Sequence, residues 1–346
     1  MAERSPPAAR TRPLVLALAL LWALDALLEL QPANFTSRLV YETVLGNAEH
    51  QPQPIYGSLV EAARLLAPWH AELNALIAVA EAGIAAGLLW PRTMRLALAA
   101  SIPWSLGVWW LGEGFGGLFA GKATLLVGAP GAALLYALAA LVAWPRRDAI
   151  GIRRGSVEPP PDGSGEPDGS LAAAGALGER TTTGAWVLLW VGGALLRVAP
   201  FWFPPVYALV GDLQLGLDEE PRWMARLNLH LSHLAAAAGL TLVVALALLE
   251  ITIGILPLTR WRRAGLALGI AVSLLYWVIG QQLGGLFTGQ STDLSAAPLY
   301  VLIAVSLWPV RQSGRCWGVI RHRHSRVVGG KPRAYGPGPT EGVSGR

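Results

Sequence analysis

The sequence predicts an all-α integral membrane protein of about eight transmembrane helices, arranged as two parallel four-helix repeats. Three observations lead there. Hydrophobic residues make up 53% of the 346 residues and charged residues only 14%, against about 25% charged in soluble domains. Apolar runs near the ~20 residues that cross a bilayer recur along the chain. A Gly-rich stretch occurs twice, WWLGEGFGGLFAGKATLLVGAP from Trp109 to Pro130 and WVIGQQLGGLFTGQSTDLSAAP from Trp277 to Pro298.

The duplication sets the domain plan. A constant offset of about 168 residues pairs Trp109 with Trp277, Gly116 and Gly117 with Gly284 and Gly285, Phe119 with Phe287, Thr124 with Thr292, and Pro130 with Pro298. The same offset pairs Trp22 with Trp190 and Arg92 with Arg260, so it covers whole halves and not the motif alone. Residues 1–148 are read as the first four-helix membrane repeat and 184–311 as the second. Between them, 149–183 holds SVEPPPDGSGEPDGS and reads as a disordered cytoplasmic linker; 312–346 reads as a disordered basic cytoplasmic tail.

Taken in order, the first apolar segment runs from Pro13 to Gln31, behind basic residues. It is long, carries Asp25 and Glu29 and lacks a small-residue cleavage site, so it is expected to be retained as a helix. A polar stretch from Pro32 to Glu72 follows, with a helical pattern near LVEAARLLAPW. Apolar segments at 73–90 and 96–111 are joined by the basic turn PRTMR, and a fourth segment ends at Trp144. The second half repeats this at 185–200, 234–256, 264–283 and 294–309, with TRWRR as the basic turn.

Arginine placement gives the orientation. Arg4, Arg10, Arg12, Arg92, Arg95, Arg146, Arg147, Arg260 and the basic tail fall on one side if there are eight spans. The positive-inside rule then puts both termini in the cytoplasm of a bacterial inner-membrane protein, with both Gly-rich motifs outward. The net charge of +5 is thereby read as arginine at one bilayer face; nucleic acid is not an expected partner, whereas the lipid bilayer and other membrane subunits are. The single cysteine, Cys316, leaves no intrachain disulfide and no cysteine metal cluster.

Charges inside spans are costly and often functional. Glu81 and Glu250 each lie in the second helix of a half and are candidates for proton relay or for binding a cation; hydrogen-bonded helix contacts are the alternative. Glu113, Gln281, Thr124, Thr292 and Asp293 are candidate polar lining around the Gly-rich loops, either as the floor of an outward vestibule or as parts of tight outer turns. Asp25 and Glu29 share one face of the first helix. Arg197 stands at the position equivalent to Glu29, so either a Glu29–Arg197 ion pair forms across the halves or the two groups snorkel separately to the outer headgroups. His230 and His233 share a helix face and His70 has only a loosely similar place in the first half, out of histidine register, so no haem, metal or other cofactor is assigned, and no catalytic residue. Trp69, Trp90, Trp144, Trp202, Trp261 and Trp308 at span ends are expected as interfacial anchors.

The segments VAEAGIAAGLLWPRTMRLALAASI and LALLEITIGILPLTRWRRAGLALGI resemble the DoxX-like family of small four-helix membrane proteins. Each has an in-membrane Glu, a Gly-containing apolar run, an Arg-bearing turn and an Ala/Leu-rich helix. The GGLF stretch and the duplication depart from single-unit members. The resemblance implies an accessory subunit of a membrane redox-linked complex. The alternative is a small permease or channel with a path at the interface between repeats. A membrane enzyme is not favoured, because no nucleophile–base pair or phosphate-binding loop is evident.

Overall fold

The computed structural model describes residues 7–121, 123–146, 169–199 and 204–309, with side chains from residue 11 onward. Among them are eleven α-helices and no β-strand: α1 (Pro7–Glu29), α2 (Gln53–Leu66), α3 (His70–Leu89), α4 (Met94–Leu111), α5 (Ala132–Ala143), α6 (Gly178–Val198), α7 (Pro205–Gln214), α8 (Arg222–Ala238), α9 (Leu240–Ile255), α10 (Arg262–Ile279) and α11 (Ala297–Ser306). Five helical stretches are long and apolar enough to cross a membrane: 11–29, 53–89 (α2 and α3 together), 178–198, 240–258 and 262–279. Helices α5 and α11 are apolar but only 12 and 10 residues long. Helix α4 has 18 residues but carries Arg95 and Pro103, and is not among the five.

Packing follows the same order in both halves. Helix α1 lies along α3 and α6 along α9, while α4 packs on α5 and α10 on α11. The two short apolar helices, α5 and α11, meet each other and join the halves. Each first helix sets a buried tryptophan against a buried tyrosine of its half's last helix: Trp22 lies 4.2 Å from Tyr136 and Trp190 lies 5.6 Å from Tyr300, ring centre to ring centre. These rings, with Trp186 and the leucines of α1, α5 and α11, make the central core. A second, smaller core of Val40, Val44, Ala48, Leu59 and Ala63 lies under α2.

Several arginines close helix ends. Arg12 donates to the carbonyls of Leu88 and Leu89 at 3.2 and 2.6 Å, and Arg262 donates to Leu307 at 2.8 Å. The last carbonyls of α3 and α11 have no partner within their own helices, and a cation there also suits the helix dipole.

The structure moves one boundary. Residues 169–183, expected within the linker, are folded: a 3-10 turn at Leu171–Ala174 precedes α6, and Ala172, Thr182 and Thr183 are buried. The threonine side chains bond back to carbonyls one turn earlier, which lets TTT sit inside a helix that composition had assigned to the linker. The connector's core (147–168), Lys122, Trp202 and the basic tail lie outside the described residues. Trp69, Trp90 and Trp261 are exposed at helix ends, whereas Trp22, Trp186 and Trp190 are core residues.

Candidate functional site

A cavity of about 280 Å³ lies in the first half, between the N-terminal part of α3 and the C-terminal part of α4. Apolar side chains form most of its wall, among them Leu39 and Leu66 from the segment between α1 and α3, Leu76 and Ile77 of α3, and Val108 of α4. Five acids also line it: Asp25 and Glu29 from α1, Glu81 from α3, Glu113 after α4, and Asp293 from the second half. Among the described residues, no lysine, arginine or histidine lines it.

Helical spacing accounts for the cluster. Positions 25 and 29 share the face of α1 that packs on α3, and Glu81 answers from α3. Asp25 is held by two donors, the hydroxyl of Tyr136 and the backbone N–H of Leu294 at 3.2 Å. Glu29 and Glu81 are 4% and 6% exposed, and one carboxyl oxygen of each, Oε2, is buried without a hydrogen-bond partner. Among the other lining residues, the indole N–H groups of Trp22 on α1 and Trp104 on α4 and the Ser105 hydroxyl are likewise buried and unpartnered. Unmet donors and unmet acceptors around one space are unusual, since buried polar groups are nearly always paired.

The Gly-rich motifs build the rim. Both are short 3-10 turns, Gly114–Gly117 and Gln282–Gly285, in which Phe115 and Gly116, or Leu283 and Gly284, take positive φ. At Gly116 a β-carbon would stand 1.9 Å from the Pro130 carbonyl oxygen, so only glycine fits. Trp109 donates to that carbonyl at 2.7 Å, and Trp277 donates to Leu294 at 2.8 Å. Glu113 Oε1 accepts from the Ala133 N–H at 2.9 Å, in the first turn of α5; Gln281 Oε1 accepts from Ala297 at 3.0 Å, in the first turn of α11. Burial and the nearby Asp293 push the Glu113 carboxyl up to about 8, and burial raises Asp293 itself. Gly117 and Gly285 share the positive φ, while Phe119 and Phe287 are exposed.

Each post-motif loop crosses to the other half. Residues 291–294 reach the first half, where Asn34 donates to the Ser291 carbonyl at 3.1 Å and Thr292 and Asp293 enter the cavity. The loop at 124–129 reaches the second half: Thr124 donates to Asp212 of α7 at 2.7 Å, Leu125 abuts Gly193 of α6, and Tyr300 donates to the Ala129 carbonyl at 2.9 Å. Thr124 is therefore no part of the cavity that holds Thr292. Burial raises Asp212 to about 6, opposed by its bond from Thr124 and by the charge of Arg197.

The expected Glu29–Arg197 pair does not form. Arg197 bonds Glu250 instead, with Nη2 to Oε1 at 2.6 Å, and the two side chains are 2% and 0% exposed. The reason is local packing. Arg197 points along the α6–α9 contact as Glu29 does along α1–α3, so each faces the second helix of its own half and not its symmetric counterpart. Tyr276 completes the group, donating to Glu250 at 2.9 Å with its ring 5.9 Å from the guanidinium. A space of about 10 Å³ lies in this half beside Tyr276, Gln281 and Tyr300. His230 and His233 are exposed, and the described residues hold no His, Cys, Asp and Glu group placed to bind a metal.

Sequence reasoning singled out every acid of the cavity. It missed Tyr136, Trp104, Ser105 and Asp212, because nothing in an apolar helix marks which of its polar atoms faces a void. No family model, curated protein or solved structure matches the chain.

Proposed function

We propose that this chain is a multi-pass bacterial inner-membrane protein made of two tandem, parallel four-helix units with both termini cytoplasmic. It acts as a small permease whose path uses the cavity of the first unit. The observation that carries this reading is the asymmetry of the two in-membrane glutamates. Glu81 borders open space with an unpartnered oxygen, whereas Glu250 is neutralised by Arg197 and enclosed. Ionisable groups inside a membrane protein mark pathways when they face a cavity, and structure when they are paired.

The tandem arrangement is supported by matching bonds in both halves. Trp109 and Trp277, and Glu113 and Gln281, play parallel roles, and Tyr136 and Tyr300 pack on Trp22 and Trp190. After the motif these roles follow an offset of about 164, not 168, as an internal duplication with a four-residue deletion would leave.

Thiol accessibility tests the path. Ser105 lines the cavity, and the only native cysteine is Cys316. In a Cys316→Ser background, Ser105→Cys is expected to react with a membrane-impermeant maleimide in both right-side-out and inverted vesicles. Reaction from neither face, or from one face only, sinks the permease reading.

A DoxX-like accessory subunit of a redox-linked complex is the second reading. It is favoured by the second half, whose acid is neutralised and which has a space of only about 10 Å³ beside Tyr276, as suits a supporting role. Its mark is a stable redox partner in native-membrane co-purification.

A further inference from the structure

We propose that the first-half cavity takes a lipophilic ammonium ion that carries a neutral acceptor oxygen. This names the substrate class of the permease read above and rests on that cavity being the passage site.

The argument starts from what the wall lacks. Glu29 and Glu81 are more than nine-tenths buried, each lines the cavity and holds one partnerless carboxyl oxygen, and no cationic side chain among the described residues lines that space. Isolated buried carboxylates are expensive, and a positive ligand head removes that cost where the protein offers nothing. Trp22 and Trp104 add π-faces to the wall, which attract a cation in a desolvated site. Their N–H groups and the Ser105 hydroxyl are the unmet donors, so the ligand needs an acceptor as well as a charge. The rest of the lining is aliphatic, so the body of the ligand is apolar. An inorganic ion is disfavoured, because no three His, Cys, Asp or Glu side chains among the described residues converge as a metal site. It would also leave the apolar wall and the indole donors without a partner.

The test is direct binding to the purified full chain in detergent, using probes that differ by one group. 2-Phenoxyethylammonium carries the charge, the oxygen and an apolar ring. Phenoxypropane replaces the ammonium by a methyl group, and 3-phenylpropylammonium replaces the oxygen by a methylene. The first is expected to bind saturably, and each of the others at least tenfold more weakly. Glu29→Gln with Glu81→Gln removes charge without changing shape, so the variant should elute as the wild type does. In it the preference for 2-phenoxyethylammonium over phenoxypropane should vanish. The exposed Glu61→Gln should leave all three affinities unchanged. Equal binding of the neutral probe, no saturable binding of the first probe, or an undiminished charge preference in the double variant overturns the proposal. Uptake of 2-phenoxyethylammonium into proteoliposomes is a separate reading. Charge-selective binding without uptake keeps the ligand class and sinks the permease.

Discussion

The surroundings of Glu81 and Glu250 show how one helical plan yields two different interiors. Both glutamates sit in the helix that packs on the first helix of their half, and both are buried. In the second half, Arg197 of α6 pairs with the acid, and Leu125 from the crossing loop fills the space against Gly193. In the first half the facing residues are Glu29 and Asp25, and the crossing loop delivers Asp293. Where one interior has Arg197, Gly193 and Leu125, the other has Glu29, Asp25 and Asp293. The first closes around an ion pair and the second keeps a cavity lined by acids, while both retain buried unpartnered groups, Trp190 Nε1 and Arg197 Nη1 in the first and Trp22 Nε1 in the second. The lesson concerns energetics. A buried pair depends on both its members, while an unpaired buried acid adds no pairing energy to offset its desolvation.

The largest effect should come from breaking the closed side. Arg197→Leu leaves Glu250 buried beside Tyr276 without its cation, and losing one member of a buried pair costs about 3–5 kcal/mol. Arg197→Leu with Glu250→Leu should recover most of that, since apolar replacement of the whole pair is often near neutral. Glu81→Leu breaks no pair and removes a buried carboxyl with an unpartnered oxygen, so it should not destabilise. Thermal unfolding of the three variants in one detergent provides the check. A loss for Glu81→Leu as large as that for Arg197→Leu would remove the contrast between the halves.

Much of this contrast was legible in the chain, but not its wiring. Apolar runs gave the helices because a bilayer-length stretch has few other ways to satisfy its backbone. The duplicated glycines gave the rims because at Gly116 and Gly284 positive φ coincides with close backbone approach, although Phe115 and Leu283 beside them take positive φ with side chains. The partner of Arg197 was not legible. Symmetry pointed to Glu29, but in-register equivalents sit far apart when each packs inside its own half; Glu250 is the residue across the α6–α9 contact. Thr124 and Thr292 match in sequence yet serve different places, because the change of offset after the motif re-registers the last helix against the loops. The fold of 171–183 was hidden for another reason. Composition averages over a Gly/Pro-rich window and cannot see threonines bonding their own helix.

The motif turns allow a finer comparison at smaller cost. Gly116 and Gly284 hold φ of +61° and +71°, and their added β-carbons would meet the Pro130 oxygen at 1.9 Å and the Leu294 carbonyl carbon at 2.7 Å. Gly285, at φ +69°, has nothing closer than 3.6 Å. An L-residue in this backbone region costs roughly 1–2 kcal/mol before any clash. Alanine at the three positions should therefore destabilise in the order Gly116, Gly284, Gly285, with only the last confined to about 1–2 kcal/mol. Equal losses would mean that the loops relax and that contact with the crossing strand is not what demands glycine.

The smallest effect is a slope, read at the two helix caps. Glu113 and Gln281 each accept from the first turn of the following helix, but only Glu113 can titrate. Burial and Asp293 lift its carboxyl from 4.5 to about 8 in the folded protein. Between those values the folded state holds a proton that the unfolded state has released, so this group's contribution to stability falls as pH rises through that window. The limit is about 1.4 kcal/mol per pH unit for one proton. Glu113→Gln keeps an acceptor for the Ala133 N–H, as Gln281 shows for Ala297, and deletes the titration. Against the wild type, its stability should therefore fall less between pH 6 and pH 7, by about 1 kcal/mol. Conversely, Gln281→Glu should steepen the dependence, because that carboxyl would enter a buried site that already contains the Leu125 carbonyl. Parallel pH profiles for wild type and Glu113→Gln would show that the first cap is solvated, and that Asp293 does not act on it through a dry cavity.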